Sequence, residues 1–89
     1  MNSKQAVKIF NEWIKERDKV VKTYDIDAFK AFWHKWQAKG VYDKQMSLPS
    51  DNVIEISMRK MVYHMTSATD AEKKEAEEWL YEHGSSPTL

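Results

Sequence analysis

The sequence predicts an all-α fold, one domain of four helices. Three observations carry that prediction. Apolar side chains recur every three to four residues in four separate stretches. Each stretch opens on a residue that caps helices, and two close on glycine. The 89-residue chain has only two glycines and two prolines, too few breaks for a many-stranded β fold. The length suits a single domain over residues 1–89, with a thin core for its surface. An apolar fraction of 42%, with four tryptophans, four tyrosines and three phenylalanines, is too rich for a disordered chain.

The first helix is expected at about residues 4–23. Ser3, or Asn2 with Gln5 three residues on, supplies its N-cap. At 100° per residue, Ala6, Ile9, Phe10, Trp13, Ile14, Val20, Val21 and Tyr24 share one broad face. Lys4, Lys8, Lys15, Lys19 and Lys22 share the other, the pattern of an amphipathic helix. The second helix is expected at about 26–39, capped by Asp25. Its stripe is Ile26, Phe29, Phe32, Trp33 and Trp36. Gly40 occupies the left-handed position after the last turn, and Val41 can close back on Trp36.

Residues 41–49 form the one long loop. Val41, Tyr42, Met46 and Leu48 make it apolar, so it is expected to lie back over the core. The third helix follows Pro49, at about 51–65, capped by Ser50 or Asp51. Its main face is Ile54, Met58, Met61, Val62 and Met65. A weaker stripe of Val53, Ile56 and Tyr63 marks either a central helix or one with a face free for a partner. The fourth is expected at about 70–83. Thr69 and Glu72 form a capping box at its start, and Gly84 stops it. Ala76, Trp79, Leu80 and His83 are placed inward. The short links pair helices one and two, and three and four, as antiparallel hairpins. Residues 85–89 are expected to fray.

Fourteen basic and fourteen acidic side chains cancel, but not evenly. Residues 1–40 hold nine basic and five acidic groups, a net of +4; residues 69–89 hold two and six, a net of −4. Three arrangements follow from this gradient. The charges complement one another inside the domain. The basic face of one copy meets the acidic face of another. Or Lys15, Lys19, Lys22, Lys30, Lys35 and Lys39 form a basic face that contacts a nucleic-acid backbone without reading sequence. A helix-turn-helix reader is disfavoured, because the helix after the short turn presents Glu75, Glu78 and Glu82, which repel phosphates.

No catalytic constellation is expected. The serines sit at caps and turns or alone, and both glycines are helix stops rather than parts of a phosphate loop. The three histidines lack ligand spacing, so no metal and no cofactor are expected. Absent cysteine excludes a disulfide framework. No apolar run is long enough to cross a membrane, and residues 1–8 lack the apolar segment of a secretory leader. A cytoplasmic protein is the expectation.

The residues singled out are therefore surface ones. Ile56, Arg59 and Tyr63 on the third helix, with Tyr81, Glu75, Glu78 and Glu82 on the fourth, form the candidate partner surface. Arg17 is unusual because it falls within the apolar face of the first helix. It is expected either to lie along Trp13, to pair with Asp25, Asp27 or Glu55, or to meet an anion or partner carboxylate. The functional expectation is a non-enzymatic interaction or assembly module, with a homodimer as one form of it. The alternatives are a nucleic-acid accessory protein using the lysine face, or an acidic decoy on the fourth helix.

Overall fold

The structure, a computed structural model, describes residues 2–88. Among them are four α-helices and no strand: α1 Ser3–Thr23, α2 Ile26–Ala38, α3 Asp51–His64 and α4 Asp70–Glu82. The predicted helix positions hold to within a residue or so at each end.

The helix ends explain why. Asn2 caps α1, its side chain accepting from the Gln5 backbone while Gln5 returns the bond. Asp25 caps α2 through the Ala28 amide, Ser50 caps α3, and Thr69 and Glu72 make the reciprocal box of α4. At the end of α2 the Val41 amide donates to the Trp36 carbonyl and the Gly40 amide to Gln37. Gly40 has φ of 87°, a conformation glycine adopts without a side-chain clash. The same pair of bonds closes α4, from Ser85 to Leu80 and from Gly84 to Tyr81. Without glycine, α1 still turns sharply: Tyr24 itself takes φ of 54°.

α3 is the central helix, packing on α1, α2 and α4, and α4 packs chiefly on α3, tied to α1 by the Lys22–Glu72 pair. The main apolar stripe of α3 is largely buried between these neighbours, while the weaker one is half-buried at Ile56 and Tyr63 and leaves Val53 45% exposed. The core is Val21 of α1, Phe29, Phe32, Trp33 and Trp36 of α2, Ile54, Met58 and Val62 of α3, and Ala76 and Leu80 of α4. The 41–49 loop closes one side of it. Tyr42 stacks on Trp33 with rings 5.0 Å apart and accepts a hydrogen bond from the Trp13 indole at 3.1 Å. The Gln37 amide reaches the carbonyls of Asp43, Lys44 and Met46, holding the loop against α2.

Three expectations are corrected. Ala6 and Phe10 do not join the core; both are exposed. At 1.5 Å per residue α1 is about 31 Å long and α2 about 20 Å, so the first turns of α1 run past the helix that folds back on it. His83 is exposed too; it lies flat on Trp79, with ring centroids 3.9 Å apart, instead of pointing inward. The tail does not fray through its described residues. Pro87 is buried, and its carbonyl accepts from His64 Nε2 at 2.6 Å. A polar side chain on α3 thus anchors a segment that composition alone marks as loose.

Candidate interaction surface

Residues 2–8 are exposed on every side. That stretch includes Val7, which is 59% exposed, and Phe10 just beyond it is 54% exposed. Both continue the face that, about three to four turns later, buries Val21. This is an apolar helix stripe whose covering bundle stops short of it. Water around these side chains gains nothing from folding, so their burial is left for another contact.

The stripe runs into a cleft of about 230 Å³, lined by Trp13, Arg17, Trp33, Tyr42, Pro49 and Met61 among others. Phe10 leans on Trp13 at the cleft mouth, with ring centroids 5.6 Å apart. Arg17 forms one wall. Its guanidinium lies 5.1 Å from the Trp13 ring centre and bonds Asp18 at 3.1 and 3.3 Å. Stacking along Trp13 is as expected, but the acid it meets is its chain neighbour, not Asp25, Asp27 or Glu55. Asp18 in turn accepts from Ser67. Burial pushes the Tyr42 hydroxyl up, against the opposing influence of the Trp13 bond and Arg17, so it stays protonated as part of the cleft wall.

The other candidate residues separate into fixed and free. Arg59 is fixed: its guanidinium is held between the Tyr24 and Trp79 rings, at 3.5 and 4.8 Å. Tyr63 packs against the core and Ile56 is half-buried. Tyr81 is free, at 61% exposure, and shares the outer face of α4 with the exposed Glu75, Glu78 and Glu82. The acidic face and Tyr81 are thus brought together, while the α3 residues belong largely to packing.

The lysines divide in the same way. Lys22 pairs with Glu72, Lys30 with Asp51 and Lys35 with Glu16, and Lys39 lies over the Trp36 ring. Lys15 and Lys19 are in no ion pair among the described residues, and neither are Lys4 and Lys8. Part of the charge gradient is therefore resolved inside the domain. Lys4, Lys8, Lys15 and Lys19 are left as a mostly basic row along α1, with Glu12 among them, beside the exposed stripe.

Sequence reasoning missed Val7 and the exposure of Phe10. The signal was present in the helix lengths: a first helix of about twenty residues cannot be covered by a second of about fourteen. Among the described residues no cluster of three metal-ligating side chains forms, and no helix is long and apolar enough to cross a membrane. Compared with known protein families, curated proteins and solved structures, the chain has no match.

Proposed function

We propose that this chain is a non-enzymatic interaction module that docks a partner segment along the projecting half of α1. One observation carries the reading. Val7 and Phe10 stand exposed on turns that extend past the bundle, and their stripe leads into an apolar cleft. A helix-in-groove contact needs apolar anchors at helical spacing and a polar margin; here Val7, Phe10 and Ile14 are the anchors and Lys4, Lys8 and Lys15 the margin. Trp13 and Tyr42 at the foot of the stripe are of the residue types that anchor interfaces. The cytoplasmic setting expected from the composition belongs to the same proposal.

The nucleic-acid reading has less support. Three of its six lysines are engaged by acids of this chain, and a lysine already neutralised releases no counterion from a phosphate backbone.

The test is site-specific photo-crosslinking in the cells that make the protein. A photoreactive residue at Phe10 is expected to give a discrete adduct, and one at His34, exposed on α2, is not. Absence of any adduct at position 10 removes the proposal.

A further inference from the structure

We infer that the partner of the α1 projection is the acidic outer face of α4 on a second copy of this chain. This rests on the reading of the projection as a docking surface and names its occupant. Three observations support the pairing. Lys4, Lys8, Lys15 and Lys19, in a row along α1 beside Val7 with Glu12 among them, are in no ion pair among the described residues, whereas Lys22, Lys30 and Lys35 are. The outer face of α4 carries Glu75, Glu78 and Glu82, exposed and likewise in no ion pair among the described residues, around Tyr81. These two faces are the main uncompensated parts of the +4 and −4 halves of a chain with net charge zero.

Their spacing also matches. Lys4 and Lys8 are one turn apart, as are Glu78 and Glu82, about 6 Å along each axis. Set antiparallel, the helices bring Lys4 to Glu82, Lys8 to Glu78 and Asn11 to Glu75. On a wheel of 100° per residue Val7 lies to one side of its lysine pair, and Tyr81 lies to the corresponding side of its glutamate pair. In an antiparallel pair those sides coincide, and the two residues stand about 3 Å apart along the axis. Tyr81, 61% exposed, thus comes down beside Val7. An apolar contact flanked by charge pairs has the layout of a small interface. Because α1 of one copy meets α4 of another, the contact is head-to-tail and propagates or closes into a ring.

The experiment is sedimentation of the full chain at about 0.01 M and about 1 M salt, across which the Debye length falls from ~30 to ~3 Å. Species above the 10.5 kDa monomer are expected at low salt, with their loss at high salt. Lys4→Glu with Lys8→Glu is expected to abolish assembly, and so is Glu78→Lys with Glu82→Lys. All four changes together keep the net charge at zero and are expected to restore it. The altered positions are exposed, and helicity by circular dichroism checks that each variant folds. A monomer at low salt, or a fourfold variant that stays monomeric, overturns the inference. So does a Phe10 crosslink whose adduct is a different protein, an outcome that leaves the docking proposal standing.

Discussion

The guanidinium carbon of Arg59 lies 3.5 Å from the ring centre of Tyr24 and 4.8 Å from that of Trp79. His83 stacks on Trp79, so four side chains from α3, α4 and the ends of α1 and α4 form one stacked cluster. The stack explains a strained residue. Tyr24 is the only described non-glycine at positive φ, a conformation that costs an L-residue roughly 1–2 kcal/mol. The turn puts its ring on Arg59, where the cation–π contact offsets the strain, at about 1–2 kcal/mol when partly desolvated. Arg59 Nε is buried without a hydrogen-bond partner, so the planar faces of the group carry the contact. Arg59→Lys is therefore expected to lose about 1 kcal/mol, because an ammonium cannot stack between two rings. Tyr24→Gly is expected to be more stable than Tyr24→Ala by about 1 kcal/mol, since only glycine takes this φ freely. Urea denaturation of the three variants checks both statements.

Glu16 supplies a pH-dependent contribution. Burial pushes its carboxyl up, but hydrogen bonds from Lys35 and Trp36 and the nearby lysine charges outweigh that and hold it below the usual range. Its folded-state value is thus lower than its unfolded one. The stabilisation is fully present above the unfolded value and is lost as pH falls through the folded one. Glu16→Gln keeps an acceptor for the Trp36 indole and loses the Lys35 ion pair. A cost of about 0.5–1 kcal/mol is expected at neutral pH for this partly exposed pair. The gap between wild type and variant is expected to close in acid. Glu16→Ala leaves the Trp36 N–H without its 2.9 Å acceptor and is expected to cost about 1–3 kcal/mol. Thermal melts over a pH series distinguish the two.

Helix ends are legible in this sequence because their causes are local. Asp25, Ser50, Thr69 and Gly40 each act within three or four residues of themselves. The aromatic core of α2 is legible for a similar reason, since one tight stripe has only one side to bury. What depends on a neighbour's length or on long side chains is not. Phe10 and Val21 look alike on a helical wheel, yet only Val21 has α2 and α3 beside it. Arg59 looks like a surface charge until the turn at Tyr24 brings a ring over it. Arg17 bonds Asp18 at 3.1 Å, a contact between adjacent residues that helical spacing does not anticipate. Pro87 is buried because His64 is within reach, a relationship across 23 residues that no periodicity encodes.

The tail should behave as part of the domain. Ser85 donates to the Leu80 carbonyl at 2.8 Å, and Pro87 is covered against α3. Ending the chain after Ser85 keeps the α4 stop and removes only the Pro87 contact. A loss of about 1 kcal/mol is expected, the usual net worth of a hydrogen bond. His64→Ala should cost a similar amount, and the two changes together little more than either, because both delete one interaction. Denaturant midpoints of the double-mutant cycle measure it.

The docking proposal makes a claim about stability as well as binding. If Val7 and Phe10 serve a partner rather than the fold, replacing them is nearly free in the isolated monomer. Phe10→Ser is expected to shift unfolding free energy by no more than about 0.5 kcal/mol, as for an ordinary surface site. Leu80→Ala, at a fully buried position, is expected to cost about 2–5 kcal/mol from lost transfer energy and the cavity left behind. The contrast must be measured at high salt, where self-association contributes nothing to the melt. A large loss from Phe10→Ser under those conditions means that the projecting turns pack on the bundle. A small loss, joined to loss of the crosslink from neighbouring position 7, separates a residue kept for contact from one kept for folding.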